Sequence, residues 1–272
     1  MRVAAAQVPG VDDSDDRIFT TANATIMLDG ASAFVPVQVS AATYAEHLGQ
    51  VLRAQLTAQP SAELPDVLAT AIETTVRSLD LSPGQSPSST VAIARAHGGQ
   101  VDLLTLGDTQ IVIPRETISD ARQATIAIAQ RQKYRTRLAS GAGYDDDHRA
   151  LLRDLQTEQA QQRNRDGGYW IAEARPDAAH HAITTQRPIA AAPWAILATD
   201  GAYTLMEHLG LADWPQLARA NSAHLATILR HCHDWEDQTD PSGNQLPRAK
   251  RHDDKSLAAV TFSTEDPATP TG

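Results

Sequence analysis

A single cysteine, Cys232, stands among 272 residues, so no internal disulfide can form and the composition suits a reducing compartment. Long apolar runs are missing too. None approaches the ~20 residues that a membrane-spanning helix needs, and Met1 to Gly10 is too short for a signal core before it meets Asp12. These absences predict a cytoplasmic protein. Positive charge is scarce: 23 Lys and Arg face 33 Asp and Glu, a formal charge of −10, which argues against nucleic acid or an anionic membrane as the main partner. No linker divides the chain and no internal repeat is evident, so one domain over residues 1–262 is expected, with 263–272 as a disordered tail.

What is present centres on Ala24 to Ser32, a short apolar run that ends on Asp29-Gly30. Such a run reads as a buried strand whose last residue hands a carboxylate to a cleft. No Lys or Arg lies between Thr21 and Gln50, so the expected counter-charge for Asp29 is a cation from solution. Gly30, lacking a Cβ, would let a backbone carbonyl approach that ion. The pattern recurs at Trp194 to Gly201, which ends on Asp200, and Leu103 to Asp108 supplies a third strand-end aspartate. Three such ends converging would make a metal site.

Along the chain, Arg2 to Gln7 and Arg17 to Thr21 read as strands that lead antiparallel into the Asp29 strand. Tyr44, Leu48, Val51, Leu52 and Leu56 recur at helical spacing, and a second helix is expected from Leu64 to Leu79, the pair covering one sheet face. Thr90 to Ala96, Val101 to Leu106 and Ile111 to Ile113 read as a β-meander. Glu116 to Arg165 is polar and helical on either side of Gly141-Ala142-Gly143, which predicts a helical hairpin with Asp145 to Asp147 capping its second arm. Strands are expected again at Gly168 to Ala172, Ala195 to Thr199 and Ser256 to Phe262. Helices are expected at Tyr203 to Leu209, Trp214 to Ala220 and Ala223 to His231.

Five sites then stand in order beside predicted strand ends: Asp15-Asp16, Asp29-Gly30, Gly107-Asp108-Thr109, Thr199-Asp200-Gly201 and Asp253-Asp254-Lys255-Ser256. Together they resemble the motifs of the metal-dependent Ser/Thr protein phosphatases (protein phosphatase type 2C), and the small bacterial members above all, over about residues 14 to 262. The resemblance implies an α+β, four-layer α-β-β-α sandwich of two antiparallel sheets with helices on both outer faces, in which residues 116–165 form a flap. It implies two Mn²⁺ or Mg²⁺ ions bridged by Asp29, with Gly30 offering its carbonyl to one and Asp200 and Asp253 completing the other. Asp108 would help hold a third. Asp16 would orient the attacking water, so Asp16 and Asp29 are the implied catalytic pair. The implied reaction is hydrolysis of phosphoserine or phosphothreonine in a protein substrate by a monomeric enzyme.

The chain departs from the family's pattern at three places. The family's phosphate-binding Arg corresponds to Val11, the His that often follows Asp-Gly is Ala31, and Ser14 replaces the motif Asn. Arg248, Lys250 and Arg251, chain neighbours of Asp253, are the expected phosphate-binding replacements, since strand alternation should direct Arg17 away from Asp16. These losses also keep open a non-catalytic, phosphatase-like binding module. A calcium loop over Asp12 to Asp16 is excluded, because its sixth position holds Arg17 and its twelfth Asn23. His231-Cys232-His233 suggests zinc, but neighbours one and two apart do not share a helix face, so a helix end is expected there.

Overall fold

Strand β3 (Ala24–Ala31) sets the layering of the computed structural model, which describes residues 1–263. Its side chains alternate: Ile26 and Leu28 point to one side and pack under helices, while Met27 points into a second core shared with another sheet. One sheet runs in the order β2 (Arg17–Thr20), β3, β4 (Ser88–His97), β5 (Gln100–Leu106), β8 (Ile183–Pro188). The other runs β1 (Arg2–Val8), β10 (Lys255–Thr261), β9 (Trp194–Ala198), β6 (Gln110–Ile113), β7 (Glu116–Ile118). Every pairing in both sheets is antiparallel.

Between the sheets lie Met27, Ala92, Ala94, Leu103, Ile111, Leu197, Ala258 and Val260. Outside the first sheet, α1 (Ala41–Ala58) and α2 (Leu64–Leu79) bury Leu48, Leu52, Leu68 and Ile72 against Ile26, Ile93 and Leu104. Outside the second, α5 (Asp200–His208), α6 (Trp214–Leu217) and α7 (Ser222–Gln238) bury Met206, Leu217, Leu225 and Leu229 against Ile196 and Leu257. The architecture is therefore the expected α-β-β-α sandwich. Leu52 and Ile72 are fully buried, so truncating either to Ala would cost about 2–5 kcal/mol.

The hairpin between the sheets' connections comprises α3 (Ile128–Ala139) and α4 (Asp146–Gln162), joined through Gly141 and Gly143, both at positive φ. Asp145 caps α4, its Oδ1 accepting from the His148 amide at 3.0 Å. A small cluster of Tyr134, Leu138 and Leu155 holds the arms together and extends to Ala249, whose carbonyl lies 2.8 Å from His148 Nε2. The hairpin thus rests on the loop before β10.

Several local expectations are corrected. β1 does not lead into β3 but pairs with β10, at the other end of the chain, while β2 and β3 form a hairpin in the opposite sheet. The expected meander breaks after β5: Gly107, at φ +87°, turns the chain so that β6 joins the other sheet, beside β9. β3 does not stop at Asp29, because Asp29, Gly30 and Ala31 stay in register with Thr90, Ser89 and Ser88. Gly168 to Ala172 is no strand and makes two isolated bridges, Ala172 to Ser89 and Tyr169 to Arg163. α7 runs past His233 to Gln238, so the His-Cys-His run lies within a helix and not at its end. The tail expected at 263–272 falls outside the described residues apart from Ser263.

Candidate metal centre

All five acidic sites come to one end of the sandwich. Asp16 directly precedes β2, Asp29 lies near the end of β3, Asp108 follows β5, Asp200 opens α5 just beyond β9, and Asp253 and Asp254 precede β10. β10 lies against both β2 and β3, and this contact between the sheets carries the two sets of ends together. The Asp15 amide donates to Asp254 Oδ2 at 2.6 Å, a bond between residues 239 apart in sequence.

The charges are crowded. Burial first, and then the carboxylates of Asp16, Asp200, Asp253 and Asp108, raise the Asp29 carboxyl well above the usual range. Burial likewise pushes Asp200 up to about 8, with Asp108 and Asp253 adding to it, and pushes Asp16 up to about 7. Asp29, Asp108, Asp200 and Asp253 each keep one face toward solvent, whereas Asp16 is fully enclosed. Asp16 Oδ2 accepts from Thr199 Oγ1 at 3.1 Å, but its buried Oδ1 has no partner. Thr199 Oγ1 also accepts from the Ser256 amide at 2.9 Å, so one hydroxyl ties Asp16 to β10.

Two glycines allow the close approach. A Cβ at Gly30 would come 2.7 Å from the Asp15 carbonyl oxygen, and one at Gly201 would collide with the Asp254 carbonyl. An orphaned buried carboxylate oxygen, Asp16 Oδ1, and a donor set made wholly of oxygen fit hard divalent cations such as Mg²⁺ or Mn²⁺.

The three basic residues before β10 separate. Lys250 Nζ lies 2.5 Å from Asp253 Oδ1 while its side chain stays 62 % exposed, spread over the cleft. Burial alone would lower its ammonium, but Asp253, Asp29 and Asp200 outweigh that and hold it above its ordinary value. Arg248 is engaged elsewhere, bonding Asp240 Oδ2 at 2.7 Å and facing Glu236 at 3.3 Å, and Arg251 bonds Asp237 at 2.7 Å. Neither guanidinium is directed at the acidic cleft: the buried Glu236 and Asp240 hold Arg248, and the exposed Asp237 of α7 holds Arg251. Arg17 turns to Glu46, Nε to Oε2 2.8 Å. Val11 is 49 % exposed in a turn, and Ala31 ends β3.

Sequence reasoning missed three contributors. Thr199 positions Asp16, the Tyr203 hydroxyl donates to the Asp108 carbonyl at 3.2 Å, and Arg131 of α3 sets a positive charge near Asp108. Thr199 stood within a quoted motif without a role and Tyr203 three residues from Asp200, but Arg131 reaches the centre only through the hairpin's docking.

No family model and no curated protein matches the sequence. Solved structures do match in shape. A bacterial serine phosphatase superposes with a TM-score of 0.57 at 9 % identity, covering 98 % of this chain and 100 % of that one. Serine/threonine phosphatase Stp1 from Staphylococcus aureus gives 0.54 at 10 % identity, covering 97 % and 95 %. The PPM Ser-Thr phosphatase MsPP from Mycobacterium smegmatis, in complex with cacodylate, gives 0.51 at 13 % identity, covering 97 % and 99 %. Over nearly its whole length, the chain has the fold of the PPM, or type 2C, Ser/Thr phosphatases.

Proposed function

We propose that this protein is a Mn²⁺- or Mg²⁺-dependent phosphomonoesterase that removes phosphate from phosphoserine or phosphothreonine in proteins. The observation that carries this reading is the gathering of Asp16, Asp29, Asp108, Asp200 and Asp253 into one cleft where their charges repel and one Lys faces them. Carboxylates left so poorly compensated are stabilised by divalent cations.

Asp29, Asp200, Asp253 and the Gly30 carbonyl would hold two ions, and Asp108 would help hold a third. When bound, the ions would lower the pKa of a water and withdraw charge from the phosphoryl oxygens. Asp16, fixed by Thr199, would accept a hydrogen bond from that water and aim it at phosphorus. Lys250 would meet the phosphate oxygens, in the role that Val11 cannot fill. Ala31 offers no proton to the leaving oxygen, so alkoxide leaving groups would draw theirs from solvent, at a cost of about 10²-fold or more in rate.

The test uses chelator-stripped protein and p-nitrophenyl phosphate. Hydrolysis is expected only after Mn²⁺ or Mg²⁺ is restored, and Asp29→Asn and Asp200→Asn should each abolish it. Metal-independent turnover would overturn the proposal. A second reading, a phosphatase-like binding module, is favoured by Val11 and Ala31. That reading predicts phosphopeptide binding without turnover even of this ester, whose leaving group needs no acid.

A further inference from the structure

Beyond the acidic cleft, we propose a second metal site, built from His233, Glu236 and His252, that takes a borderline transition metal such as Zn²⁺. His233 and Glu236 sit three residues apart on α7 and so share a face of that helix, while His252 comes from the loop before β10. One ligand atom from each lies within 4.8 Å of the others. Tetrahedral zinc with bonds of about 2.0–2.1 Å sets ligand atoms roughly 3.4 Å apart, so rotation of two half-exposed imidazoles closes the set.

Two observations point to a ligand and not to a finished hydrogen-bond network. Glu236 is fully buried, and its Oε1 takes no hydrogen bond although the Arg248 guanidinium lies 3.3 Å away. Its Oε2 already accepts from Lys255 Nζ at 2.6 Å and faces His252 Nδ1 at 3.2 Å, which orients the carboxylate as an outer partner orients a ligand. The His233 and His252 rings lie 4.5 Å apart between centroids, yet among the described residues the His233 ring makes no hydrogen bond.

Charge decides which metal fits. The carboxylates packed around the site are matched by cations: Glu236 by Lys255 and Arg248, Asp237 by Arg251 and Asp240 by Arg248. Little net negative charge remains to attract Mg²⁺ or Mn²⁺, which favour oxygen ligands. Binding would rest on two neutral imidazoles, which favour Zn²⁺, Co²⁺, Ni²⁺ and Cu²⁺. The site is thus chemically orthogonal to the all-oxygen cleft. It lies one residue from Asp253, so an ion there would pin the loop that presents Asp253 and Lys250 to α7.

The experiment is a titration of the full chain in excess Mg²⁺, with Zn²⁺ followed by calorimetry and Co²⁺ by visible absorption. One equivalent should bind, the Co²⁺ form showing the stronger bands of a four-coordinate ion. His233→Ala and His252→Ala should each weaken binding by ~10-fold or more. His231→Ala, on an exposed neighbour, and Asp200→Asn, in the cleft, should leave it unchanged. Far-UV circular dichroism checks that each variant folds, with His252→Gln standing in for a variant that does not. Failure to bind Zn²⁺ in excess Mg²⁺, or binding indifferent to both histidines, would overturn the assignment. Because the readout is binding, it holds or fails independently of phosphatase activity.

Discussion

Lys250 reaches Asp253 across 2.5 Å while Arg248, two residues earlier, turns the other way to Asp240. Three cations of one loop therefore do different work. Lys250→Ala should raise KM for p-nitrophenyl phosphate several-fold and weaken inhibition by inorganic phosphate. Arg248→Ala should instead leave KM alone and cost stability, about 3 kcal/mol, because it strands the buried carboxylates of Asp240 and Glu236. Steady-state kinetics beside denaturant unfolding separates the two, and equal KM values for Lys250→Ala and wild type would remove Lys250 from the phosphate pocket.

Gly30→Ala places a methyl group 2.7 Å from the Asp15 carbonyl oxygen, in a strand locked to β4 by its register. The backbone has to shift by several tenths of an ångström, and the shift falls on the ligand atoms. Divalent-metal affinity should drop at least ~10-fold while the far end of the sandwich keeps its protection, as titration calorimetry and hydrogen exchange can read. Unchanged affinity would mean that the Gly30 carbonyl holds no ion.

Stability of the metal-free protein should fall as pH rises from about 4 to about 8. Burial and neighbouring carboxylates push Asp16 up to about 7 and Asp200 up to about 8 in the folded state, against ~3.9 for Asp in an unfolded chain. In that window the folded state holds more protons than the unfolded one, so unfolding free energy declines with pH. Mn²⁺ or Mg²⁺ favours the ionised carboxylates and should raise Tm more at the higher pH. Thermal scans with and without chelator give the answer, and a chelated protein that gains stability over this range would contradict the crowding of the cleft.

The α3–α4 hairpin buries Tyr134, Leu138 and Leu155 as its own small cluster, whereas β4 is almost wholly buried. Its amides should exchange well before those of β4 and β5. Equal protection would show that docking on Ala249 stabilises the hairpin as much as the sandwich. Removing the hairpin should alter the choice of protein substrate more than turnover of a small ester.

Much of this was legible in the sequence for physical reasons that can be named. α1 and α2 carry unbroken helical spacing, and the aspartates adjoin apolar runs, so local pattern marked both. β8 was invisible because it is an exposed edge of Thr, Gln and Arg whose only claim to be a strand is its partner β5. β1 looked like a neighbour of β2 because proximity in sequence says nothing of a partner more than 240 residues away. The sorting of Lys250 from Arg248 and Arg251 needed Glu236, Asp237 and Asp240, and the His233–Glu236–His252 set needed a loop that returns to a helix. Each of these is a long-range fact.

The bond between Asp15 and Asp254 has a consequence for the making of the protein. During synthesis the first carboxylates leave the ribosome long before their partners exist, and β1 waits with an open edge until β10 emerges. A nascent or prematurely terminated chain that stops short of Lys255 lacks Asp253, Asp254 and the strand that draws the two sheets' ends together. Closing the two sheets' ends is therefore among the last steps available to the growing chain, and a fragment that stops before Lys255 leaves β1 unpaired and Asp15 without its bond to Asp254.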